Sequence, residues 1–303
     1  MGGQQGPEDL VAIPGADWVI ASSMSGDGGI AVIRTTDRGV TKAYPAVKNA
    51  FDDKHYAGCP GPPTPGKFTS HGLYLFQGGG PVERLLVVGH GEREAIEVFN
   101  VDIRGPVPAL IWIGCVIAPE PIGLNSVRGL TDGGFITTNF LPRGSTPEAR
   151  QRMSDGEKNG ELWEWHPNGK WQKVPGSEAA GANGVEMSKD GKTLYMAAWG
   201  SQSFVRLSRG EKKVRRDEVP LGFRVDNIHW AADGSLIAVG QGTGANERRW
   251  QGVKIDPATL KVSEVMNRAN VPGFGAGTVA AEVGKSWWIG SYIGDRIAIV
   301  PAP

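Results

Sequence analysis

Charge of one sign is missing from this chain: 32 Lys and Arg balance 32 Asp and Glu over 303 residues. Without a net field, neither nucleic acid nor an anionic membrane surface is drawn in, and a small molecule becomes the default partner. Cysteine is nearly absent. Cys59 lies in a Pro/Gly loop and Cys115 in an apolar run, which excludes a disulfide-dense scaffold and leaves a single bridge open. No stretch comes near the ~20 apolar residues of a membrane-crossing helix. Residues 1–6 have neither the basic start nor the apolar stretch of a signal peptide. Since a strand pattern begins by residue 10, the start reads as trimmed or processed. The compartment stays open: cytoplasmic or, after removal of a leader, periplasmic or secreted. Catalytic punctuation is lacking too. There is no G-x-S-x-G elbow, no H-E-x-x-H and no paired C-x-x-C, so serine-hydrolase, zinc-protease and structural-zinc readings have no support. GQGTGA at 240–245 follows no βαβ pattern. DGEKNGELWEWH opens like an EF-hand at Asp155 but carries His166 where a bidentate Glu is needed.

What is present is turn and strand. Gly (45) and Pro (21) are abundant, with 10 Trp and only 21% charged residues, a composition of tight turns and aromatic-edged strands rather than of helices. Short apolar or alternating runs separated by Gly and Asp recur to the end of the chain, as in GGIAVIRTT, RLLVVGH, KTLYMAAWG and SLIAVGQG. They amount to about six four-stranded units spaced by roughly 40 to 60 residues, the spacing of propeller blades. Two insertions break the rhythm. Residues 44–67, ending in CPGPPTPGK, read as a proline-stiffened surface loop, and STPEARQRMSD offers Ser145 or Thr146 as cap, Pro147 at the first helical position and a short helix. No low-complexity linker divides the chain, so residues 1–303 read as one all-β domain, a six-bladed β-propeller with a central tunnel. Trp18, Trp199, Trp287 and Trp288 read as blade packing.

Six segments set a polar residue just ahead of a half-apolar strand: PEDLVAI with Glu8 and Asp9, SHGLYLF with His71, LNSVRGL with Asn125 and Arg128, ANGVEMS with Asn183, VDNIHWA with Asp226 and Asn227, and GTVAAEV with Thr278. In a radial fold each would point one loop at the common axis. Taken singly, such Asn and Asp are ordinary turn residues at strand entries.

ANGVEMSKDGKTLYMAA resembles the blade signature shared by the senescence marker protein/gluconolactonase family and the serum paraoxonases. The paraoxonase resemblance is the closer one. PEDLVAIPGADWVIASS, SHGLYLF, ERLLVVGHGEREAIEVF, LNSVRGL, GGFITTN, VDNIHWAADGSLIAVG and GTVAAEVGKSWWIGSYIGDRIAIV look like successive paraoxonase segments in the same order, over nearly the whole chain. The resemblance implies a propeller with a calcium ion in its tunnel and a hydrolase that opens a lactone or cleaves an activated aryl ester. It implies Glu8, Asn183, Asp226 and Asn227 as calcium ligands, a mix of carboxylate and amide oxygens that suits a hard cation. It also implies His71, backed by His90, as the base that activates water, with Glu8 an alternative base. His55, His166 and His229 have no such claim and read as surface or structural residues.

One departure stands out. Where paraoxonases carry Asn-Asp, this chain has Arg128 and Gly129, which implies loss of a ligand of the catalytic calcium and of one for a second, structural calcium, although Asp9 remains. Arg128 then turns away while Asn125 or water fills the vacancy, or enters the tunnel to clamp a substrate anion, or replaces the metal charge. An exposed surface Arg is the plain alternative. Two other readings stay open: a propeller that binds a ligand or protein without hydrolysis, and an isomerase or lyase reaction in the same tunnel.

Overall fold

The structure is a computed structural model that describes residues 5–25, 28–45, 48–167 and 169–302. Its strands form six consecutive antiparallel sheets, one per blade. The innermost strands are Leu10–Ala12, Phe68–Leu75, Leu124–Gly129, Ala182–Met187, Arg224–Trp230 and Gly277–Val283, for blades 1 to 6. Each touches the inner strand of the blades on either side, and that of blade 1 meets that of blade 6, so the ring closes. Blade 2 gains a fifth, parallel strand, Lys48–Asn49, and blade 6 has three strands among the described residues, where the sequence pattern suggests four throughout.

Blade strands read as apolar runs because both faces are covered. In Thr193–Ala198, Leu194, Met196 and Ala198 join Ile136 and Leu162 of blade 3, while Tyr195 and Ala197 face Phe223, Val225 and Leu236 of blade 5. The period-two alternation is intact, but both sets of side chains are buried. The same logic joins Leu10, Val19 and Ile33 of blade 1 to Val279 and Trp288 of blade 6. Main-chain bonds finish the closure, Ser291 N–H to the Pro7 carbonyl at 2.8 Å and Gly6 N–H to the Gly294 carbonyl at 3.0 Å.

The two insertions differ in how far they follow the sequence reading. Residues Pro147–Ser154 do form a helix, capped by Thr146, whose hydroxyl accepts from Ala149 N–H at 3.2 Å, and they bury Met153. The segment 44–67, read from sequence as a surface loop, instead tucks Tyr56 and Cys59 into the core, stacks Phe51 on Trp112 and bonds Cys59 to Cys115 on the outer strand Ala109–Ile117. Reducing that bridge, which spans 56 positions of chain, is expected to lower the unfolding free energy by about 4 kcal/mol in the chain-entropy description. A Cys59→Ser/Cys115→Ser protein that melts at the wild-type temperature would show that packing alone holds the segment. Among the described residues no helix is long and apolar enough to cross a membrane.

Candidate active site

Five of the six inner strands break register at one place. The irregularities fall between Ser70 and Leu73, Leu124 and Val127, Ala182 and Val185, Val225 and Ile228, and Gly277 and Ala280. A bulge twists its strand and re-aims the extra residue. Here those residues include His71, Asn125, Asn183, Asp226, Asn227 and Thr278, and in blade 1 Glu8 and Asp9 precede the strand directly. The bulges nest tightly. A Cβ on Gly72 would come within 2.5 Å of the Asn125 carbonyl, and one on Gly184 within 2.7 Å of the Asp226 carbonyl, so only glycine allows adjacent blades to approach this closely.

The six segments meet at the axis as a connected polar layer. Asn227 donates its amide N–H to Glu8 Oε1 at 2.5 Å, Thr278 donates to the Glu8 carbonyl at 2.6 Å, and Gln241 donates to Asp226 Oδ2 at 2.6 Å. Asn183 and Glu8 also lie close enough to Asp226 to influence its titration. Burial first, then the facing Asp226 and Asp9, holds Glu8 well above the usual carboxylate range. Asp226 is pushed up to about 7, chiefly by burial, against the hydrogen bond of Gln241 and the influence of Asn183. Two buried carboxylates side by side resist double ionisation.

Three oxygens in this layer, Glu8 Oε2, Asn125 Oδ1 and Asn183 Oδ1, are buried without a hydrogen-bond partner. Leaving a buried acceptor unsatisfied costs about 1–3 kcal/mol, and three at one spot form a cradle of oxygen donors beside the Asp226 carboxylate. The chemistry fits a hard divalent cation such as calcium. Among the described residues no three His, Cys, Asp or Glu side chains gather as a metal cluster, so the donors here are mainly carboxylate and amide oxygens. Of the four ligands implied from sequence, Asn227 turns its amide nitrogen to Glu8 and acts as a brace, while Asn125 contributes an open oxygen.

A chain of three side chains runs up to the cradle. Glu94 Oε2 lies 2.9 Å from His90 Nδ1, and His90 Nε2 lies 3.0 Å from His71 Nδ1. Glu94 Oε1 accepts from Leu124 N–H at 2.6 Å, which fixes the carboxylate. With Glu94 accepting, the network assigns a proton to His90 Nδ1 and another to His71 Nδ1, leaving the lone pair of His71 Nε2 facing the axis. That nitrogen is 3.4 Å from Asn125 Nδ2 and 3.6 Å from Glu8 Oε2. Burial, aided by His90, drives the His71 pKa well below the ordinary value, so the ring is neutral at pH 7. Glu94 stood in the segment ERLLVVGHGEREAIEVF, but only its 4-residue spacing from His90 could have singled it out.

Arg128, Glu186 and His229 each lie three positions downstream of an axial residue, Asn125, Asn183 and Asp226 respectively, and so about 10 Å deeper along strands that run the same way. Arg128 covers the Tyr74 ring, 4.2 Å from its centroid, and its Nε is 2.8 Å from Glu186 Oε2, an ion pair off the N–H axis rather than a linear hydrogen bond. Asp9 is satisfied by Leu10 N–H, by Leu73 N–H at 2.7 Å and by His229 Nε2 at 3.1 Å. Burial lowers the His229 pKa, but Asp9 and Glu186 more than reverse this and raise it. Two acids thus face a guanidinium and a protonatable imidazole, a layer whose charge balances internally.

The opposite end of the axis lies upstream along the inner strands. Trp199, read from sequence as packing, stands there. It donates its indole N–H to Gln241 at 2.9 Å and carries the Arg224 guanidinium 4.2 Å from its ring centroid. Tyr292 is exposed and lies near both Asp226 and Arg224.

No family model and no curated protein matches the sequence. Solved structures do match in shape. A gluconolactonase from Xanthomonas campestris is 16% identical with a TM-score of 0.61, over 100% of this chain and 88% of that one. Streptogramin B lyase is 13% identical, with a TM-score of 0.55 and coverage of 99% and 84%. The calcium-binding protein regucalcin from Agrobacterium tumefaciens is 13% identical, with a TM-score of 0.54 and coverage of 95% and 82%. At such identities the likeness speaks to architecture, and this chain has the six-bladed propeller fold of the gluconolactonase and regucalcin structures.

Proposed function

We propose that the chain is a calcium-dependent hydrolase that opens a lactone or cleaves an activated aryl ester. The observation that carries this reading is the meeting of three partnerless buried oxygens with the unprotonated Nε2 of a buried, neutral histidine. Glu8, Asn125, Asn183 and Asp226 would hold the cation, with Asn227 bracing Glu8. When bound, it supplies polarisation of the substrate carbonyl and stabilisation of the charge that develops on its oxygen. Glu94 orients His90, His90 orients His71, and His71 Nε2 takes the proton of the attacking water and later returns it to the leaving oxygen. Asn125 Nδ2, which donates to His71 Nε2 at 3.4 Å, marks the position that the attacking water would take over. Arg128 belongs to the lower layer, where its charge and that of His229 offset Asp9 and Glu186, so we infer one bound calcium per chain rather than two. The Cys59–Cys115 bridge supports a working place in an oxidising compartment.

The test is metal analysis combined with a chelator titration of activity against a panel of lactones and aryl esters. One equivalent of calcium and hydrolysis that falls with the chelator are expected. Full activity in a metal-free protein sinks the proposal, and no turnover of any member returns it to a ligand-binding propeller. The lyase of like fold keeps elimination as a second reading. Products formed in 18O water separate the two, because only hydrolysis puts solvent oxygen into the carboxylate.

A further inference from the structure

Arg224 is unlike Arg128, the other half-buried arginine on an inner strand near the axis. Arg128 has Glu186, but among the described residues Arg224 has no carboxylate within ion-pair reach, and its Nε is buried with no hydrogen-bond partner. It begins the inner strand of blade 5, two positions before Asp226, so its side chain starts about 7 Å upstream of the axial carboxylates, at the end of the axis away from Arg128.

The surroundings hold it firmly. Trp199 is fixed edge-on by Phe140, with ring centroids 5.8 Å apart, and by its N–H bond to Gln241. Gln241 in turn donates to Asp226 and to the Gly277 carbonyl. A guanidinium stacked on that indole has its plane set and its in-plane N–H donors directed outward from the ring. Tyr292 lies close enough to feel the charges of both Arg224 and Asp226. The arrangement is a pre-oriented, acid-free cation keyed through one glutamine to the same Asp226 that faces the reacting centre.

Resting on the hydrolase reading, we propose that Arg224 selects substrates carrying a carboxylate on the part of the molecule that faces out of the tunnel, held against the Trp199 platform. A lone guanidinium matches one unit of negative charge and pairs with a planar carboxylate through two parallel N–H bonds. The carbonyl to be attacked would then lie deeper, at the Glu8, Asn125 and Asn183 oxygens. Arg224 is a specificity-determining residue, remote from the reacting atoms.

The experiment uses the calcium-loaded full chain and two lactams that cannot be opened readily, one bearing a carboxylate on its ring substituent and the other a neutral carboxamide. Calorimetry should give the carboxylate about ten- to a hundredfold tighter binding, with a preference that shrinks as salt is raised. Arg224→Gln should abolish the preference. Arg224→Lys should keep part of it, and it serves as the readout if the Gln variant does not fold. Equal affinity for both lactams in the wild type, no binding of either, or a preference untouched in both variants overturns the assignment. The two proposals part cleanly. Charge-selective binding without hydrolysis of any lactone or ester removes the hydrolase reading and leaves Arg224 standing, whereas brisk hydrolysis with equal lactam binding does the reverse.

Discussion

The His71→Gln protein is expected to lose about a hundred- to ten-thousandfold in kcat toward a lactone, the usual contribution of a positioned general base, while its calcium content and melting temperature stay close to wild type. Gln nearly fills the imidazole volume and can still bond His90, but its amide cannot take a proton from water. Because His71 is buried and its pKa is depressed well below the ordinary imidazole value, the base form is present over most of the accessible range. The kcat/KM profile should therefore rise from low pH and level off below about pH 6.5, and this limb should vanish in His71→Gln. Glu94→Gln should retain the ring but disturb the tautomer of His90, giving a smaller fall in kcat with an altered limb. Lactone hydrolysis unchanged in His71→Gln removes the histidine chain from the mechanism, and Glu8 becomes the base to test.

Cation-free protein is expected to lose stability as pH rises, and calcium is expected to restore it. Asp226 has its pKa raised from 3.8 to about 7 by burial, and Glu8 is raised in the same direction. A raised pKa means that the folded protein holds the proton more tightly than the unfolded chain. The associated stability is fully present below the unfolded value of 3.8 and is lost as pH climbs through about 7. At 1.36 kcal/mol per pKa unit the loss for Asp226 is on the order of 4 kcal/mol. A cation coordinated by the ionised pair reverses the penalty. The melting temperature in chelator should fall between pH 5 and pH 8, and the gain from added calcium should be larger at pH 8, by several degrees. Asp226→Asn should flatten the chelator curve and shrink the calcium response together. An equal calcium shift at both pH values, or none, contradicts the assignment of these carboxylates as cation holders.

Much of the architecture was legible because blade strands obey local rules. The Asp190-Gly191 turn between ANGVEMS and KTLYMAA, like the others of its kind, marks strand ends by backbone preference alone. The segments around His71, Asn125, Asn183, Asp226 and Thr278 could be aligned as a repeated motif because each carries a bulge at the same strand position, and Glu8 joins them by standing just ahead of its strand. The outer details were harder to read. Residues 44–67 look like a solvent loop by their proline and glycine content, yet Tyr56 and Cys59 are buried by strands from elsewhere in blade 2.

The candidate site divides in the same way. Composition and order of residues determined a propeller and named the polar residues that crowd its hub, since alternation, turn chemistry and a repeated strand entry are all properties of neighbours in sequence. Partnership was decided only in three dimensions. Glu94 completes the histidine chain, Arg128 and His229 are committed to Glu186 and Asp9, and Arg224 stands on Trp199 without an acid. Each of these roles rests on charge and hydrogen-bond satisfaction between atoms brought within about 3 to 4 Å by ring closure and blade packing, and no local pattern encodes which of two arginines will meet a carboxylate.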